Sequence, residues 1–135
     1  MRKKRESIAR QTGFTLVELM VVIAIIGILA TVILPKLLKN IGKGQHAAAQ
    51  LQIRSFEGAL DMYYADNYKY PDALSGLVPD YIKKVPNDPW KNPYFYSSTS
   101  QHGQDVDLAS YGKDGAPGGT GENADITNWE SGEEE

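Results

Sequence analysis

"RQTGFTLVELMVVIAIIGILATVILP", residues 10–35, is the stretch on which the reading of this 135-residue chain turns. From Phe14 to Leu34 its only charge is Glu18. As a helix the run would measure roughly 30 Å, the thickness of the hydrocarbon core of a bilayer. Arg2, Lys3, Lys4, Arg5 and Arg10 precede it, whereas only Lys36, Lys39 and Lys43 follow closely. That excess predicts an N-terminus inside and a C-terminus outside. A secretory signal would have a shorter apolar core ending in a small-residue cleavage site. Here Leu34-Pro35-Lys36 follows the run instead. Glu18 is the anomaly. A charged group inside a membrane helix costs on the order of 3 kcal/mol, so it should snorkel to the interface or meet a cation.

The rest of the chain is long enough for one small domain with a modest core. It has no cysteine, so a disulfide framework, a thiolate zinc site and a thiol nucleophile are all excluded. A small exported domain without disulfides needs another staple, such as a metal or oligomerisation. The net charge of −3 conceals an asymmetry, because residues 1–13 contribute +4 and leave −7 on the remainder. The chain ends in "ESGEEE", and this acidic balance argues against a nucleic-acid surface.

Beyond the apolar run, Pro35 should end or kink the helix, because it removes a backbone donor and clashes with the preceding turn. Gly42 and Gly44 follow, so residues 35–44 form the pliable part. From Gln45 to Tyr64 the pattern becomes amphipathic. Ile53, Phe56, Leu60 and Tyr64 share one face, with Arg54, Glu57 and Asp61 on others. Prolines 71, 79, 86, 89 and 93 then forbid a long helix and imply turns between short elements. "PYFYSS", "DVDLASY" and "ITNW" read as three strands of a small antiparallel sheet covering the amphipathic face. Trp90 reads as a core plug.

Between the last two strands lies "GKDGAPGGTGENAD", residues 112–125. Asp114, Glu122, Asn123 and Asp125 gather oxygen donors on a glycine-rich backbone, the kind of ligand that Ca²⁺ prefers. The spacing is not that of an EF-hand. By composition alone the loop reads rather as a solvated, mobile segment.

"GFTLVELMVVIAIIGILA" resembles the class III prepilin signal of the type IV pilin and pseudopilin superfamily. Gly13, Phe14, Thr15, Leu16 and Glu18 fill that pattern without a gap. The globular part also resembles the major pseudopilins of type II secretion systems. Tyr70-Pro71, Gly76-Leu77, Tyr81-Ile82 and "PNDPWKNPYFY" carry the likeness. Lys91 departs from the pattern, since the family commonly has glycine there. If that backbone needs a positive φ, lysine brings strain.

The resemblance implies an α+β, pilin-like fold: a long N-terminal helix, half anchor and half domain spine, packed on a small antiparallel sheet with a calcium-binding loop. Its divisions would be a cleaved leader at 1–13, a transmembrane and filament-core helix at 14–34, its continuation at 35–64, and a periplasmic globular region at 65–135 with an acidic tail. A prepilin peptidase would cut between Gly13 and Phe14, and Phe14 would be N-methylated. Glu18 would then neutralise the new α-amine on a neighbouring subunit and so select register during assembly. Proline at position 35 also recurs in the family, where local melting accompanies filament packing. Calcium would be held by Asp114, Asn123 and Asp125 with the Tyr111 backbone carbonyl. Asn123 stands where the family often has aspartate.

The implied function is that of a structural subunit. It would be stored in the bacterial inner membrane as a single-pass protein with its C-terminal domain in the periplasm. It would assemble into a helical homo-oligomer with minor pseudopilins, an assembly platform and a cytoplasmic ATPase, pushing exoproteins through the secretin. A type IV pilus subunit and a membrane-tethered binding module are the alternatives. Catalysis is not expected: His46 and His102 read as solvent-exposed and belong to no recognisable triad, and nothing ties Asp105 and Asp107, on one strand face, to acid–base work.

Overall fold

The structure is a computed structural model and describes residues 12–130. The basic leader up to Gln11 and the acidic tail from Ser131 therefore lie outside the described residues. The chain divides into two units, Met1–Leu38 and Lys39–Glu135.

Helix α1 runs Leu16–Asn67. In the first unit it is apolar and long enough to cross a membrane, and its most apolar stretch buries nothing within the chain. Large side chains such as Ile23, Ile28 and Val32 are more than half exposed, so they are left largely uncovered by the described residues. Pro35 lies inside α1, and the helix does not end there as the sequence suggested. A proline removes one donor and crowds one carbonyl, a local cost that the flanking turns can absorb.

In the second unit, the α1 face bearing Ala49, Ile53, Phe56, Ala59 and Leu60 is buried. It packs with Leu74, Leu77, Tyr94, Val106, Leu108 and Ile126 in one hydrophobic cluster. Burying each large apolar side chain contributes about 1.5–3 kcal/mol, so this cluster dominates the stability of the unit. Tyr64 is not part of it, being 45% exposed. Tyr63 packs against the core instead, and the Tyr64 ring lies tilted against Tyr70 with centroids 4.8 Å apart. The spacings 53, 56 and 60 continue to 63 as well as to 64, and the rotation of the helix over the sheet chose the former. Helix α1 exits through Tyr68, whose φ of 57° is left-handed and whose N–H closes onto the Tyr64 carbonyl at 2.8 Å.

A short 3-10 turn at Leu74–Leu77 places two leucines under the helix. The sheet has strands β1 (Phe95–Ser97), β2 (Asp107–Ser110) and β3 (Ile126–Thr127), all antiparallel, in the order β1-β2-β3. Phe95 pairs with Ala109, and Ala109 with Thr127. Every residue of the central strand β2 is buried, so it lacks the in–out alternation of a half-exposed strand. Asn128 clamps β2 by accepting the Leu108 N–H at 2.8 Å and donating to the Val106 carbonyl at 2.9 Å.

Candidate functional site

At the head of α1, Gly13 and Phe14 precede the first helical turn, and Phe14 is 91% exposed. The Thr15 hydroxyl accepts the Glu18 N–H at 3.2 Å, and a Glu18 carboxylate oxygen accepts the Thr15 N–H at 2.9 Å. This is a reciprocal capping box, which satisfies donors that the first helical turn leaves open. Its sequence signature is Thr-x-x-Glu at 15–18. Glu18 thus has a local role in the first turn of α1, four residues on from Phe14.

The turn at Asn87–Asn92 is built around Asp88, a buried residue that the sequence reading passed over. One carboxylate oxygen accepts the backbone N–H groups of Trp90 (3.0 Å) and Asn92 (2.8 Å), and the other accepts the Ser110 hydroxyl at 2.6 Å. An aspartate followed two and four positions later by free N–H groups is the turn chemistry that could have revealed it. The Lys91 N–H closes onto the Asp88 carbonyl at 2.9 Å, and the Asp88 N–H onto Asn92 at 2.8 Å. That closure forces Lys91 to a φ of 72°, the left-handed strain that its departure from glycine foretold. Trp90 is half-buried against the core, in keeping with a plug, and its Nε1 is buried without a hydrogen-bond partner. Asn92 reaches across to donate to the Gly112 carbonyl at 2.8 Å, tying this turn to the acidic loop.

That loop closes on itself. The Lys113 N–H donates to the Glu122 carbonyl at 2.9 Å, and the Lys113 ammonium meets the Glu122 carboxylate at 2.7 Å. Gly112 has a φ of 65°, and a Cβ there would lie 2.8–2.9 Å from the Asn123 carbonyl group, so only glycine fits. Asp114 accepts the Ala116 N–H at 3.2 Å, and Asp125 accepts the Gly118 N–H at 2.8 Å. The second Asp125 carboxylate oxygen is buried with no partner. Burial pushes the Tyr111 hydroxyl pKa up, with the Asp125 charge adding to it, so Tyr111 and Asp125 are brought within electrostatic reach. Asn123 lies in a short 3-10 turn at Gly121–Asn123 with its side chain exposed. Among the described residues no three His, Cys, Asp or Glu side chains form a metal-binding group. An ion in this loop would therefore rest on two carboxylates at most, completed by amide and backbone oxygens. The donors are all hard oxygens, and an orphaned carboxylate oxygen stands among them, which fits Ca²⁺.

The remaining polar candidates are structural. His46 is not free in solvent: it is half-buried, its Nε2 lies 3.0 Å from the Gly121 carbonyl, and its ring meets Trp90 edge-on at 5.4 Å. His102 is exposed as expected, yet it stacks on Trp129 at 4.0 Å and its Nδ1 lies 2.9 Å from Asp107. Asp105 is exposed, whereas Asp107 is buried and accepts the Ser100 hydroxyl at 2.6 Å and the Gln101 N–H at 3.0 Å. Burial alone would raise the Asp107 pKa, but these donors and the His102 ring outweigh it and hold the carboxyl below its ordinary value.

Comparison with known proteins covers both units. The family described as type II secretion system (T2SS), protein G matches residues 36–129, and the prokaryotic N-terminal methylation motif matches residues 8–34. The type II secretion system core protein G of Vibrio cholerae is 43% identical over 136 residues, covering 89% of this chain and 92% of that protein. Its counterpart in Pseudomonas aeruginosa is 38% identical, covering 90% and 97%. The crystal structure of the major pseudopilin from the type 2 secretion system of enterohaemorrhagic Escherichia coli superposes with a TM-score of 0.59. It is 31% identical and is matched over 71% of this chain and 92% of its own. With an N-methylation motif leading into a core-G domain, and a long helix packed on a three-stranded antiparallel sheet, the chain belongs to the type II secretion system protein G family, the major pseudopilins.

Proposed function

We propose that this chain is the principal structural subunit of a periplasmic pseudopilus that drives protein export through a type II secretion system, and that it acts as a building block rather than an enzyme. The observation that carries this reading is the pairing of an uncovered apolar helix with a domain that buries its own core. The subunit is held in the inner membrane by residues 14–34, with its N-terminus cytoplasmic and its domain periplasmic. A prepilin peptidase cuts between Gly13 and Phe14, in the exposed segment ahead of the capping box, and Phe14 is N-methylated. Glu18 then meets that amine on a neighbouring copy. The assembly platform, its ATPase, the minor pseudopilins and the secretin complete the machinery.

Asp114, Asn123 and Asp125, with the Tyr111 carbonyl, hold Ca²⁺ in the acidic loop. When bound, the ion cross-links a loop that no disulfide restrains, stabilising only the folded state. The orphaned Asp125 oxygen supports this assignment.

Mass spectrometry of the mature N-terminus tests the processing step: N-methylated Phe14 supports it and an intact Met1 refutes it. Crosslinked ladders in membranes should vanish in Glu18→Ala, and export of secreted proteins should stop on deletion. A monodisperse monomer would favour a tethered module. A chelator that leaves the melting temperature unmoved would remove calcium from the account.

A further inference from the structure

The acidic loop does more than close on itself; it also bears on helix α1. Gly42 is a buried position of the helix in the second unit, and a Cβ there would come 2.9 Å from a Glu122 carboxylate oxygen and 3.2 Å from its Cγ. One turn later, the His46 Nε2 reaches the Gly121 carbonyl at 3.0 Å, with its ring braced by Trp90. The loop segment so gripped, Gly121–Glu122, immediately precedes Asn123 and Asp125. Its Glu122 is also the residue that closes the loop through Lys113, by both backbone and side chain. Glycine is a poorer helix former than alanine, so Gly42 on propensity alone is unfavourable. Its presence admits Glu122. By contrast Gly44, two residues on, has nothing within 4 Å of where a Cβ would stand.

From these contacts we infer that Gly42 and His46 are positioning residues for the calcium loop, and that calcium binding and docking of the loop on α1 reinforce each other. The inference rests on the calcium reading above and adds a coupling to it. The two-position element is the Gly121–Asn123 turn, docked on the helix or released from it. A ligand that favours the docked position must tighten the helix contact by the factor by which the contact tightens the ligand. Calcium in the loop then reports directly to helical residues 42–50.

Calorimetric titration of the full-length chain in detergent with CaCl₂ tests the coupling. Gly42→Ala should weaken calcium binding a few-fold, because the Glu122 side chain must swing away from the helix. His46→Ala should weaken it several-fold, and His46→Gln, which can still donate to the Gly121 carbonyl, should restore much of the loss. Gly44→Ala, with the same gain in helix propensity, should leave the affinity unchanged. In hydrogen exchange, calcium should slow the amides of residues 42–50 in the parent chain and fail to do so in Gly42→Ala. Equal affinities for Gly42→Ala and the parent, with unchanged circular dichroism, would overturn the coupling while leaving the calcium site intact. Absence of binding by the parent itself would overturn both.

Discussion

Replacing Lys91 with glycine should make the protein more stable, although lysine is exposed and makes no ion pair among the described residues. Its φ of 72° is imposed by the paired hydrogen bonds between Asp88, Lys91 and Asn92. A left-handed residue with a Cβ carries roughly 1–2 kcal/mol of steric cost. Glycine removes that cost but gives back about 0.4–1 kcal/mol through the greater freedom of the unfolded chain. The mid-values differ by about 0.8 kcal/mol in favour of glycine. For a domain of this size that corresponds to roughly 3–6 °C in melting temperature. Thermal unfolding of the full-length chain in detergent, followed by tryptophan fluorescence, measures it. Lys91→Ala serves as the control, because it removes the charge and keeps the Cβ. If Lys91→Gly melts no higher than Lys91→Ala, backbone strain at this turn is not the reason that lysine is costly here.

Other perturbations should read out the same network. Asp88→Ala strands the Ser110 hydroxyl and two backbone N–H groups, and should cost about 2–4 kcal/mol in denaturant unfolding. Gly112→Ala places a Cβ within 3 Å of the Asn123 carbonyl at a left-handed position, so it should lower the melting temperature and weaken calcium binding together. Asp107 gives a pH signature. Its folded pKa lies below the ordinary 3.8, so its stabilisation is complete above that value and drains away as the pH falls through the folded pKa. Asp107→Asn should therefore flatten the loss of stability below about pH 4, whereas an unchanged acid limb would show that other carboxylates govern it.

The large divisions of the molecule were legible because they depend on local chemistry. An apolar run of membrane length, a basic excess before it and a Gly-Phe-Thr-Leu-x-Glu order can be read along the chain. So can the helical spacing of Ile53, Phe56 and Leu60, and the three strands at their approximate places. The strain at Lys91 was also foreseeable, since a lysine in a glycine position states its own backbone cost. The capping box at Thr15 and Glu18 was legible in principle, because its partners lie three residues apart.

What sequence could not supply were contacts between residues far apart in the chain. Asp88 and Ser110 lie 22 residues apart, and His46 and Gly121 lie 75 apart. No periodicity links them. The same limit explains why Tyr63 rather than Tyr64 joins the core, and why His46 is held rather than solvated: both follow from how the sheet and loop settle on the helix. Hydrophobic patterning alone determined that this chain has an apolar helix of membrane length, a spine and a small sheet, because burial of apolar area depends on spacing within each element. Only the tertiary structure decided which polar groups meet inside the second unit, because a hydrogen bond requires two groups to arrive within about 3 Å at the right angle.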